Sequence, residues 1–183
     1  MSSRAAAVHS VHIYEDDSAL IGRLCGIVAS GLQSGNSVLI VATAAHRDQL
    51  VAQLDKAGVD VRAVARDGRF TMIDAKETLA TFMRNGMPIR GLFMASVGGL
   101  LVEAKKAARS KDQGLTVFGE MVALLWDEGK QEAALELESL WNEVLNERAF
   151  HLHCAYSRAG FINVDDEGAG FAAVCHTHSH VVQ

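Results

Sequence analysis

The sequence predicts an α/β fold of three layers, a mostly parallel sheet with helices on both faces. Short apolar runs of strand character alternate with helical stripes almost from end to end, the order that builds parallel sheets through crossover helices. The run SVLIVAT (Ser37–Thr43) is continuously apolar through its middle, as expected of a strand covered on both faces. A length of 183 residues, 49% hydrophobic and 21% charged, suits one domain with a sizeable core.

The elements follow in order. VHIY (Val11–Tyr14) reads as the first strand, and DDSALIGRLCGIVASGLQSG as the helix after it. In that helix Asp17 or Ser18 is placed to cap, Leu20, Leu24, Ile27, Val28 and Leu32 form a stripe, and Gly35 suits the position just beyond the end. After SVLIVAT, Thr43 precedes a helix AAHRDQLVAQLDKAG that ends at Gly58. RFTMID (Arg69–Asp74) is the third strand, and Asp74 with Glu77 makes a capping-box-like start to a helix AKETLATFMRNG. Beyond Pro88, Phe93, Val97, Leu100, Leu101, Ala104 and Ala108 recur at helical spacing. LTVF (Leu115–Phe118) is a further strand, followed by a helix pair carrying Trp126 and Trp141, and then by the strand FHLHCAY (Phe150–Tyr156). No internal repeat, linker or low-complexity stretch divides residues 1–183, which read as a single domain.

The net charge of −5, with no basic run beyond EAKKAARSK (Glu103–Lys111), argues against direct nucleic-acid contact and against a polybasic membrane anchor. The longest apolar run, GLFMASVGGLLV (Gly91–Val102), is fenced by Arg90 and Glu103 and is too short to span a bilayer. The start, MSSRAAAVHS, lacks the apolar segment of a secretory signal. Three widely spaced cysteines, Cys25, Cys154 and Cys175, suit reduced thiols better than a disulfide framework, so a cytoplasmic location is expected.

In open parallel sheets ligands sit outside the carboxyl ends of the strands. The residues leaving those ends are Tyr14 with Glu15 and Asp16, Thr43, Asp74, Gly119 with Glu120, and Tyr156 with Ser157. The first exit, IYEDDSALIG, has neither GxxxxGK[ST] nor GxGxxG, and its acids Glu15, Asp16 and Asp17 repel a triphosphate. ATP hydrolysis is therefore not expected, and the chain reads as a non-enzyme. The plain alternative for those acids is a helix start favoured by the helix dipole. Glu120 has the same two readings, a ligand-facing carboxylate or a first-turn acid. In the last helix Ala133, Ala134, Leu137, Leu140, Trp141 and Val144 share a face, and Glu138 projects to its margin near Asn142 and Leu145. Trp126 and Trp141 read first as core. HLHC (His151–Cys154) and CHTHSH (Cys175–His180) contain metal-ligand types, but strand alternation parts His151 and His153 from Cys154 and no C-x-x-C pair is present. No metal is expected, and in particular no stoichiometric zinc. Nor does a nucleophile emerge: GxSxG and HExxH are absent, and nothing places a base beside a cysteine.

With these motifs in place, the chain resembles the MEDS family of sensory domains, named from methanogen and methylotroph regulators. The resemblance runs through HSVHIYEDD, LIVATAAHRDQL, MIDAKETLATFMRNG and FGEMVALLWDEGKQEAALELESLWNEV to CAYS and VCHTHSHVV. It implies a RecA-like sheet, related to the circadian-clock ATPases, without a functional phosphate loop and without a cofactor. It also implies sensing of small molecules, simple hydrocarbon derivatives among them, upstream of a kinase, a DNA-binding module or another output in signal transduction and transcription regulation. No such module is recognised in this sequence, so the partners expected are a small-molecule ligand and a separate kinase or regulator, with a homodimer as a further arrangement. By motif position the ligand-binding residues implied are His12, Tyr14, Glu15, Thr43, His46, Asp74, Glu120, Glu138, Asn142, Tyr156, His178 and His180, with Trp126 as an aromatic wall. Two other readings stay open: a residual nucleotide-binding or ATPase module, and a metal-responsive His/Cys protein.

Overall fold

The strands β1 (Val8–Tyr14), β2 (Ser37–Ala42), β3 (Phe70–Asp74), β6 (Leu115–Gly119), β7 (His151–Ser157) and β8 (His180–Val182) form one sheet in the order β3-β2-β6-β7-β1-β8. All of its pairings are parallel. The structure is a computed structural model describing residues 7–109, 114–162 and 168–182. The helices are α1 (Asp17–Gln33), α2 (Ala44–Lys56), α3 (Val61–Arg66), α4 (Ala75–Phe82), α5 (Arg90–Lys106), α6 (Met121–Asp127), α7 (Gln131–Glu147), α8 (Ala159–Ile162) and α9 (Ala169–His176), and a small hairpin pairs β4 (Met83–Arg84) with β5 (Met87–Pro88).

Strand alternation divides the core into two layers. Val11, Ile13, Leu39, Val41, Val117, Leu152, Cys154 and Tyr156 face α4, α5, α6, α7 and α9. Val38, Ile40, Ala42, Phe118 and Ala155 face α1 and α2, with α3 packed at the margin. The three-layer arrangement predicted from the sequence is therefore present. Among the described residues, no helix is long and apolar enough to cross a membrane.

Several boundaries differ from the sequence reading, each for a local reason. The first strand begins at Val8 rather than Val11, which brings His9 and Ser10 into the sheet beside Leu152 and His153. Asp16, one residue ahead of the expected caps, closes α1 by accepting the Ala19 N–H at 2.9 Å. The expected terminal Gly35 has φ 78 and follows the end of that helix. Asp74 caps α4 as expected, through the Lys76 and Glu77 N–H groups. That helix stops at Phe82 instead of running to Gly86, because Asn85 (φ 51) and Gly86 (φ 82) make the tight turn that asparagine-glycine favours between two strands. Helix α3 escapes the periodicity argument because it buries none of its residues completely. The C-terminal α8, α9 and β8 add a last strand beside β1.

Candidate functional site

Parallel pairing brings the exits of β1, β2 and β6 to one edge. Glu120 follows β6 directly, and its N–H donates to Val41 O at 3.1 Å, which holds the two exits together. Although it occupies the cap position of α6, its side chain makes no hydrogen bond to that helix. Its Oε1 instead accepts the backbone N–H of Thr43, the residue leading β2 into α2. Its Oε2 accepts from His46 Nδ1 at 2.6 Å, and His46 Nε2 lies 3.4 Å from Asp17 Oδ1 in the first turn of α1. The result is a carboxylate–imidazole–carboxylate chain across three strand exits. Glu120 is only 4% exposed. The Glu120 hydrogen bond raises the pKa of His46, burial opposes it, and the charges of Glu120 and Asp17 add to the rise. Tyr14, half-buried nearby, has its phenol pushed up by burial and by Glu120, Asp127 and Asp17. At the outer strand Asp74 holds Arg47 at 2.9 Å, and the Glu77 and Lys76 N–H groups with Arg47 keep its carboxyl below the usual range against the pull of burial.

A second polar group lies inside the layer between the sheet and α7. Glu138, 0% exposed, points from α7 toward β1 and β7. Its Oε1 accepts from Tyr156 OH at 2.8 Å and lies 3.3 Å from His178 Nε2, while its Oε2 is 3.3 Å from His9 Nε2 and 3.7 Å from Cys154 Sγ. His9 Nε2 is also 3.4 Å from Cys154 Sγ, and the His9 and His178 rings are centred 4.1 Å apart. Outside this group, Asn142 Nδ2 donates to Thr177 O at 2.9 Å, which turns its Oδ1 toward His9 Nδ1 at 2.9 Å. His178 Nδ1 faces Val174 O at 2.7 Å. Both acceptors are carbonyl oxygens, so each Nδ1 is the ring nitrogen placed to donate outward, and each Nε2 faces Glu138. Burial would raise the Glu138 pKa, but the hydrogen bonds and charges of His178 and His9 take it down to about 2. Burial and Glu138 push the Cys154 thiol and the Tyr156 phenol well up.

A family model described as MEDS, the MEthanogen/methylotroph, DcmR Sensory domain, matches residues 8–179. The chain belongs to the MEDS family. Its role is accordingly a sensory one in signalling. No curated protein matches it.

The MEDS fold distributes the residues expected to bind ligand over several places. Tyr14, Thr43, His46 and Glu120 meet at the carboxyl edge, with Asp74 at the outer strand and Glu15 paired to Arg158. Glu138, Asn142, Tyr156 and His178 meet in the interior. His12 is on the opposite face of the sheet, 3.1 Å from His153, and burial is the largest cause holding both imidazoles down to about 4. His180 is exposed on β8. Trp126 is core: it is 4% exposed, its Nε1 donates to Gly160 O at 3.1 Å, and its ring packs against Tyr156 and Phe161. Sequence reasoning missed His9 as a member of the interior group. Stepping back by two from Ile13 and Val11 reaches His9 on the same apolar face, and a strand begun at Val11 hides it.

Proposed function

We propose that this MEDS domain is a non-enzymatic receptor for a small, partly apolar molecule and relays its state to a separate signalling protein. One observation carries the non-enzymatic part. The N-terminus of α1, where an α/β nucleotide binder presents bare N–H groups to phosphate, is closed by the chain's own Asp16 carboxylate, with Asp17 in the same first turn. A triphosphate would have to displace one anion and approach another. The carboxyl edge then serves a different ligand: Tyr14, His46 and Glu120 offer a few directed polar groups at the place where such sheets bind. Simple hydrocarbon derivatives with one polar function suit that edge. The output partner is a kinase or a transcription regulator, and the free thiols Cys25, Cys154 and Cys175 suit a reducing cytoplasm.

A thermal-shift screen tests this directly, with short-chain alcohols, amines and aldehydes as one set of probes and magnesium ATP as the other. A member of the first set stabilises the wild type, the shift shrinks in Glu120→Gln, and ATP gives none. Stabilisation by magnesium ATP, with turnover above a mock preparation that Glu120→Gln abolishes, would overturn the proposal in favour of a residual nucleotide module.

A further inference from the structure

We propose that His9, Glu138, Cys154 and His178 form a binding site for one divalent transition-metal ion, with zinc the best match. The site is separate from the carboxyl edge and does not depend on the ligand reading above.

Donor positions argue first. One ligand atom from each of these residues lies within 4.8 Å of all the others, and His9, Glu138 and Cys154 are buried residues while the side chain of His178 is covered completely. Zinc bonds of about 2.0–2.3 Å in a tetrahedron separate neighbouring donors by about 3.3–3.8 Å. Three separations within one donor set match, 3.3 Å for His9 Nε2 to Glu138 Oε2, 3.4 Å for His9 Nε2 to Cys154 Sγ and 3.7 Å for Cys154 Sγ to Glu138 Oε2, and His178 Nε2 lies 3.3 Å from the other carboxylate oxygen, Glu138 Oε1.

Ring orientation argues second and independently. Both imidazoles turn Nδ1 outward to an oxygen acceptor, Asn142 Oδ1 and Val174 O, so both Nε2 atoms point inward at Glu138. His178 Nε2 is buried and makes no hydrogen bond of acceptable geometry. An ion between the rings and the carboxylate gives that nitrogen the partner it lacks. A divalent ion with one thiolate, one carboxylate and two neutral imidazoles is neutral. Nδ1–H groups anchored on oxygen, and a ligating carboxylate held by Tyr156 OH, are also the supports that orient metal ligands.

Binding replaces the Cys154 thiol proton, which leaves to solvent, and no other bond changes. This runs against the expectation of no zinc, which the experiment below puts to the test. That expectation rested on spacing within HLHC and CHTHSH, whereas the donors come singly from β1, α7, β7 and the segment before β8.

Elemental analysis of the full chain purified without chelator, followed by titration of metal-stripped protein with Co²⁺, tests the site. About one ion per chain is expected, with the intense near-ultraviolet absorption of a thiolate–cobalt bond. Cys154→Ser loses that band, Cys25→Ser on the far side of the sheet keeps it, and His178→Gln weakens Co²⁺ affinity by about tenfold or more. Should Cys154→Ser fail to fold, the wild-type spectrum and His178→Gln still decide. Folded wild type that takes up neither Zn²⁺ nor Co²⁺, or that binds Co²⁺ without the thiolate band, overturns the proposal.

Discussion

Glu120 at the carboxyl edge of the sheet and Glu138 beneath α7 are both buried, and both face histidines. Their surroundings differ in how polarity is resolved. Along the edge chain, side-chain exposure is graded, with Glu120 5%, His46 14% and Asp17 62% exposed, so charge leaks out to solvent step by step. In the interior, Glu138 and His178 are both 0% exposed, and a ring nitrogen is left without a hydrogen bond. A graded chain can exchange protons and ligands without disturbing the fold. A sealed group contributes to stability while complete and becomes costly as soon as one member is lost.

The sharpest way to break this contrast is Glu138→Ala. Removing the acid leaves His9, His178 and Tyr156 facing a void, and the loss of one partner of a buried charged group typically costs about 3–5 kcal/mol. Urea unfolding should show a lower midpoint, and a cost under about 1 kcal/mol would mean that the interior is not sealed. Trp126→Ala belongs at the same level, about 3–5 kcal/mol, because it empties core between Tyr156 and Phe161. Its cost should be equal with and without any edge ligand. Tyr156→Phe removes a hydrogen bond to a charged acceptor and should cost about 1.5–3 kcal/mol in the same assay.

Effects at the edge should be smaller and should depend on pH. The folded pKa of His46 is raised above its unfolded value by Glu120. Its contribution is therefore complete below the ordinary histidine pKa of about 6.5 and is lost as pH rises through the folded value. The stability advantage of wild type over His46→Gln should shrink as pH rises above about 6.5, and an advantage that grows would mean the imidazole is neutral beside Glu120. Asp17→Asn is the smallest change. Its carboxylate is mostly exposed and 3.4 Å from His46, so stability should move by less than about 0.5 kcal/mol.

The same two regions differ in how far a sequence reveals them. Strand exits are marked locally, by an apolar run that stops and a helical stripe that starts, so Tyr14, Thr43, Asp74 and Glu120 can be placed at one edge from pattern alone. Glu138 also stands out, as an acid at the margin of an apolar stripe. What pattern cannot supply is its company. Asn142 and Cys154 lie 133 and 145 residues from His9, and only the placement of β1 beside β7 and beneath α7 brings them together. The missed hairpin has a different cause, since Asn85-Gly86 is a readable turn signal that the preceding helical stripe overrides.

The position of β1 between β7 and β8 also sets an order of assembly. β2, β3 and β6 can pair with one another while the chain is still being made, but β1 cannot, because both of its neighbours come near the end. His12 and His153, which touch across the β1–β7 pair, are 141 residues apart. At about 5–20 residues per second, a ribosome needs roughly 7–30 s to span that distance. For that interval β1 has two open edges, so the strand of this sheet that is made first is among the last to be protected.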